Sequence, residues 1–178
     1  ILGAFRAHLP PDVAVLAVRP VPRGRRADRA ARWKRYAYRV AVGEAVSPFD
    51  PPFVWHVRRP LRLAPMRRLA ARMEGRRDFR RFCAAGSPRR TTRRTLHEVR
   101  VRRSAGVVVL SFAGDGFLYK MVRMLAATVV RVGTGQVGER EAEAIVRDPS
   151  GSPVRWAAPA RGLRLEEVGF ARFPGRGA

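Results

Sequence analysis

The sequence predicts an α+β domain in which a mixed or antiparallel sheet is flanked by helices. Three observations carry this expectation. Runs of β-branched and aromatic residues of strand length recur along the chain, two stretches repeat apolar residues at helical spacing, and the two kinds of element do not alternate in the strand–helix order of a parallel sheet. The 178 residues are 46% hydrophobic and 29% charged, the make-up of one globular domain able to bury on the order of 70% of its unfolded surface. No internal repeat or linker divides the chain, so residues 1–178 read as a single domain.

The first periodic element is Val13-Ala14-Val15-Leu16-Ala17-Val18, closed by Pro20 and Pro22; its β-branched content reads as a buried strand. An arginine-dense stretch, residues 23–35, leads into Tyr36-Ala37-Tyr38-Arg39-Val40-Ala41-Val42, a second strand whose period of two places Lys34, Tyr36 and Tyr38 on one face. Residues 46–60 are rich in proline and read as a connection anchored by Trp55. A helix opens at Pro65 and closes before Gly75, with Met66, Leu69, Ala70 and Met73 forming one apolar stripe. Residues 97–103 and 107–112 flank Ser104-Ala105-Gly106 as a hairpin. Residues 117–132 are apolar nearly all round and predict a helix buried against the sheet. Residues 139–147 predict a short charged helix, and residues 163–170 a last strand after the turn at Ala158-Pro159-Ala160-Arg161-Gly162.

Composition excludes several classes. The lone Cys83 allows no disulfide framework and supplies too few ligands for a cysteine zinc site. No apolar run approaches the roughly 20 residues of a membrane helix, and the opening residues lack the pattern of a signal peptide; the expected location is cytoplasmic. Charge is more informative. There are 37 basic residues against 14 acidic ones, a net +23. Only Lys34 and Lys120 are lysines, leaving 35 arginines. A compositional preference for Arg over Lys leaves the sum unchanged, so the shortage of carboxylates points to a polyanionic partner. The arginines are spread through every kind of element rather than gathered on one amphipathic helix, which favours nucleic acid over a membrane surface.

No phosphate-binding Gly-x-x-x-x-Gly-Lys loop, dinucleotide fingerprint or metal-spaced histidine pair is present. The glycines of 133–138 follow a helix instead of a strand and are discounted. His8, His56 and His97 are scattered and read as structural. The oddity is Arg123, within Phe117-Leu118-Tyr119-Lys120-Met121-Val122-Arg123-Met124. A guanidinium stays charged when buried, so Arg123 either reaches solvent along the helix face or holds an anionic catalytic group. Tyr36 is either an ordinary strand aromatic or a stacking platform for a nucleobase.

Five segments, in order and spacing, resemble the TruA family of tRNA pseudouridine synthases: Leu9-Pro10-Pro11-Asp12-Val13; Lys34-Arg35-Tyr36-Ala37-Tyr38-Arg39-Val40; Met66, Ala70, Gly75, Asp78, Phe79 and Phe82; Gly116 to Met124; and Ala158-Pro159-Ala160-Arg161-Gly162-Leu163-Arg164-Leu165. The resemblance implies a pseudouridine synthase-like fold and an isomerase that breaks the N-glycosidic bond of a tRNA uridine, turns the base and rejoins it through C5, without metal or organic cofactor. It also implies an aspartate nucleophile, a tyrosine matching Tyr36 that packs on the base and helps proton transfer, and an arginine matching Arg123 that pairs with the aspartate. The family implies a homodimer clasping the anticodon arm of tRNA, with no role at a membrane. Tyr36, Phe117, Lys34, Arg35 and Arg94 are the candidate substrate-binding residues, and residues 23–35 and 89–94 the candidate phosphate contacts.

Two departures matter. The family's nucleophile lies in an Arg-Thr-Asp-Ala-Gly motif absent here, and Asp12, Asp28, Asp50, Asp78, Asp115 and Asp148 all sit in other contexts. The start at Ile1, well inside the family pattern, leads to the expectation that an N-terminal segment is missing and that the chain alone binds tRNA with little or no turnover. Arg25-Arg26-Ala27-Asp28 stands where relatives tend to show Phe-His-Ala-Arg. The alternatives are a non-catalytic basic RNA-binding module, which leaves Arg123 unexplained, and a pseudoenzyme that kept the fold.

Overall fold

In a computed structural model, residues 3–4, 8–24, 26–44, 53–86, 91–104 and 106–174 are described. The chain divides into two compact units, Ile1–Ala30 and Ala31–Ala178. In the first, the strand expected at residues 13–18 does not form: these residues have no regular structure, and Val13, Leu16 and Val18 are exposed. Strand propensity only reports fitness for a pleated, half-buried surface. Here Pro10, Pro11, Pro20 and Pro22 flank the run without N–H donors, and among the described residues no strand pairs with it. The arginine-dense stretch contains a single helical turn, Ala27–Ala30, and its last three residues, Trp33, Lys34 and Arg35, open a strand; Arg25 lies outside the described residues.

The second unit is the expected α+β architecture. Its strands are β1 (Trp33–Val42), β2 (Trp55–Val57), β3 (Gly75–Asp78), β4 (Arg93–Ser104), β5 (Val107–Gly114) and β6 (Leu163–Gly169). They form one sheet in the order β2-β1-β5-β4-β3, with β6 also on β1. Only the β1–β2 pairing is parallel. β1 is therefore central: β5 flanks one edge, while β6 covers the first half of the other and β2 the end. Three helices, α1 (Leu63–Met73), α2 (Met121–Gly133) and α3 (Glu139–Arg147), contribute to a single core.

Register builds that core. Tyr36 and Val99 both lie opposite Phe112, Tyr38 and Val101 both opposite Leu110, and Val40 opposite Val108. Apolar side chains thus stand in rows on one sheet face, where they meet Met66, Leu69, Ala70 and Met73 of α1 and the buried residues of α2. Each large side chain removed from water there contributes about 1.5–3 kcal/mol. Gly133 permits the close crossing of α1 and α2, since a Cβ on it would sit 2.9 Å from Met66 Cγ. Among the described residues no helix is long and apolar enough to cross a membrane.

The second unit departs from the expected elements in three places. α2 starts at Met121 instead of residue 117, because Lys120 adopts a left-handed backbone (φ 58°) and Leu118 closes a turn by accepting a bond from the Met121 N–H at 3.0 Å. The connection expected over 46–60 contains β2, and Trp55 packs edge-on against Tyr38 with centroids 6.1 Å apart; residues 45–52 lie outside the described residues. The polar stretch opening at Gly75 supplies β3, an edge strand on which Arg76 is exposed and Arg77 half-buried.

On the face opposite the helices, Glu98 is buried between Arg35 (Nη1 to Oε1, 2.8 Å) and Arg100 (Nη2 to Oε2, 2.9 Å). Arg35 also reaches Glu167 at 3.5 Å and lies over the rings of Trp33 and Phe173. Burial opposes the charge of Glu98, but hydrogen bonds and charge from Arg100 and Arg35 outweigh it and hold the carboxyl below its usual range. A carboxyl depressed in the folded state stabilises fully above its unfolded value, about 4.3, and ceases to as pH falls through its folded value. Urea unfolding followed from pH 6 to 3 should therefore show stability falling with acidity. Glu98→Gln is expected to lose about 2 kcal/mol at pH 7 and to show a shallower acid limb than the parent.

The turn before β6 is fastened to the core by Tyr38, whose buried phenol donates to the Pro159 carbonyl at 2.5 Å. Gly162 lies against the same ring, and a Cβ there would be 2.7 Å from Cε1 and Cζ. The ring is locked in the sheet, so the turn would have to yield. Gly162→Ala should destabilise the chain by about 2 kcal/mol in urea titration.

Candidate functional site

β1, the turn at residues 117–120, the first turn of α2 and the start of β6 surround a cavity of about 500 Å³. Tyr36, Gly86, Phe117, Leu118, Tyr119, Lys120, Met121, Val122, Arg123 and Leu163 line it. Its volume falls within the roughly 300–1,000 Å³ of small-molecule sites. Tyr36 enters from the centre of the sheet, half-buried, because the period of β1 sends it to the helix side along with Tyr38. Phe117 meets it edge to face, with centroids 5.1 Å apart and planes at 84°. A perpendicular pair presents one ring's face and the other's edge to any planar guest. Burial pushes the Tyr36 phenol above its ordinary value, so it carries its proton at neutral pH.

Arg123 is half-buried near the start of α2. Its Nε donates to the Ala158 carbonyl at 2.7 Å, and the Ala158 N–H donates to the Arg123 carbonyl at 3.0 Å. The neighbouring Tyr38 phenol is pushed up by burial, against the opposing pull of the positive charges on Arg123 and Arg161. Among the described residues the guanidinium is held by Nε alone, which leaves four of its five N–H donors for another acceptor. Among the described residues no carboxylate pairs with Arg123, and none of the lining residues is acidic. The cavity therefore combines aromatic walls with two cations, Lys120 and Arg123. It is suited to a planar base accompanied by an anion.

Of the candidate site residues, the structure brings Tyr36, Phe117 and Arg123 together. Arg35 is on the opposite sheet face, bound to Glu98 and Glu167. Lys34 is half-buried in β1, opposite Gly114 and Val168, and does not line the cavity. The Arg94 side chain packs beside Gly116, and its Nη1 donates to the carbonyls of Thr91 and Arg93. Residues 89 and 90 lie outside the described residues. Asp78 and Asp148 serve turns, accepting backbone N–H bonds from Arg80 and Ser150, while Asp115, just past the end of β5, accepts the Thr95 N–H of β4. Asp50 and the side chain of Asp28 lie outside the described residues.

The histidines are structural in setting: His8 bonds the Ala4 carbonyl, His56 bonds the Gly43 carbonyl, and His97 stacks on Phe173 at 4.7 Å. The glycines of 133–138 end α2 in a turn, with Gly135 at φ +75°. Lys120, Tyr119 and Leu163 are cavity residues that sequence reasoning passed over. The left-handed position that turns Lys120 outward carries no glycine or asparagine to mark it.

Residues 69–171 match the sequence profile of a family described as tRNA pseudouridine synthase. A tRNA pseudouridine synthase A from Moorella thermoacetica is 35% identical over 167 residues, 94% of this chain and 68% of that protein. One from Geobacter sulfurreducens is 37% identical over 166 residues, 93% of this chain and 68% of that protein. One from Halalkalibacterium halodurans is 34% identical over 160 residues, 90% of this chain and 61% of that protein. This chain thus spans between 61% and 68% of the length of these relatives. Fold, sequence profile and relatives agree: the chain belongs to the tRNA pseudouridine synthase family, isomerases that convert uridine to pseudouridine in tRNA.

Proposed function

We propose that this chain forms the base-binding and arginine-bearing part of a tRNA pseudouridine synthase site, the domain over residues 1–178 serving both RNA binding and catalysis. The observation that carries the reading is the meeting of Tyr36, Phe117 and Arg123 around one cavity. A uridine extruded from its stack leaves an uncharged planar base that needs an aromatic wall. The Tyr36–Phe117 pair supplies that wall. In the reaction the bond from N1 to C1′ breaks, the base turns, a bond forms from C5 to C1′, and the C5 proton is lost while N1 gains one. Tyr36, protonated at rest, is placed to donate a hydrogen bond to the base and to relay that proton.

The nucleophilic carboxylate comes from outside the lining residues, since none is acidic. Arg123 holds it ionised: a permanent cation with free donors offsets the desolvation that would otherwise raise a buried carboxyl. Excess arginine across the chain supports attraction to the tRNA backbone. Action on the anticodon arm, as a homodimer, follows from the family resemblance and completes the proposal.

Tritium release from tRNA labelled at uridine C5 tests it. The 178-residue chain alone should bind tRNA and release no tritium above background; appreciable release would show that the nucleophile is already present. In a longer protein carrying the family's aspartate, Tyr36→Ala and Arg123→Ala should each lower kcat by about 100-fold or more. Binding of tRNA, measured by filter retention, should change little. Equal losses in turnover and binding would sink the assigned roles.

A further inference from the structure

We infer that Lys120 grips a backbone phosphate of the nucleotide whose base enters the cavity, an assignment that rests on the cavity taking the base. Lys120 is the one non-glycine residue with positive φ among the described residues. At the six other such positions, 24, 43, 75, 86, 106 and 135, the chain uses glycine, which adopts this backbone without the steric strain that a Cβ brings. A glycine at 120 would form the same turn at lower cost. Two of these seven positions, Gly86 and Lys120, line the cavity, and of the two Lys120 is the strained one that carries a side chain. It is one of only two lysines beside 35 arginines.

The surroundings indicate what the ammonium is for. Lys120 is exposed, its Nζ lies 5.3 Å from the Tyr119 ring centroid, and no carboxylate pairs with it among the described residues. Arg123, the other cation of the cavity, is half-buried and fixed to Ala158. The cavity thus has an aromatic interior, an oriented inner cation and an exposed outer one. A nucleotide has the matching layout, an uncharged planar base joined through sugar to a hydrated phosphate. A compact ammonium on a flexible stem suits the exposed end, where it can follow the phosphate while remaining largely hydrated.

Binding of uridine, uridine 5′-monophosphate and inorganic phosphate to the ¹⁵N-labelled chain, followed by NMR, tests the assignment in the parent and in Lys120→Met, Lys120→Arg and Lys120→Gly. The parent should bind the monophosphate about fivefold more tightly than uridine. Lys120→Met should erase that preference with uridine affinity unchanged, and Lys120→Arg should restore part of it. Lys120→Gly should also erase it, yet raise the melting temperature as the backbone strain is relieved. A preference that survives in Lys120→Met overturns the role of Lys120 and leaves the base site standing, since uridine would still shift the Tyr36 and Phe117 amides. If neither uridine nor its monophosphate moves those amides, the base reading fails and the phosphate role with it. Inorganic phosphate binding as tightly as the monophosphate, or a lower melting temperature for Lys120→Gly, would likewise overturn the assignment.

Discussion

The site hangs on a reciprocal pair of hydrogen bonds between α2 and the turn before β6. Arg123 gives its Nε–H to the Ala158 carbonyl and receives the Ala158 N–H on its own carbonyl. Each bond contributes only about 1 kcal/mol net; together they fix where a guanidinium points. The turn is in turn held by the Tyr38 phenol on Pro159 and by Gly162 flat against the Tyr38 ring. Because Tyr38 belongs to the central strand, sheet, helix and turn close into one ring of constraints. Tyr36, two residues earlier on the same strand, inherits that rigidity.

Much of this could be read from residues alone, and the reasons are specific. Residues 36–42 and the hairpin around 104–106 have strand composition and a turn glycine, and both formed as β1 and the β4–β5 pair. The helix over 139–147 formed with the expected bounds because its apolar residues Ala142, Ile145 and Val146 lie at helical spacing. Tyr36, Phe117 and Arg123 were legible through the family's motifs. The start of α2 was not, since Phe117-Leu118-Tyr119-Lys120 has no residue that announces a left-handed turn. Had the helix begun at 117, Phe117 could not have turned back onto Tyr36. The failed strand at 13–18 shows the converse error, in which apolar content without a partner edge makes no strand.

Arg35 illustrates how sequence misreads charge. Lying next to Tyr36 in a basic run, it resembles a phosphate ligand, but the alternation of β1 sends it to the other face, where Glu98 and Glu167 claim it. The same happens on the surface, where Arg68 grips Glu139 and Arg80 grips Asp78. Among the described residues such pairing takes up Asp78, Glu98, Glu139, Glu143 and Glu167. With 37 basic and 14 acidic residues, an excess of 23 cations has no acidic counterpart in the chain. Their mutual repulsion weakens the compact state, and a bound polyanion relieves it.

The two cations of the cavity differ in what their chemistry allows them to do. A lysine in place of Arg123 would be a more strongly hydrated point charge, able to lose its proton when a base displaces water. It would also spend one of three donors on Ala158 and aim the rest less rigidly. The guanidinium stays charged, and its planar fork offers paired donors to the two oxygens of a carboxylate. Dry aromatic walls strengthen that attraction, while the fixed position of the cation spares the reorganisation that water would need. The same pocket without a carboxylate holds an unmatched positive charge. In the proposed reaction, a carboxylate entering this cavity would therefore gain an oriented partner in Arg123, and the arginine a counter-charge.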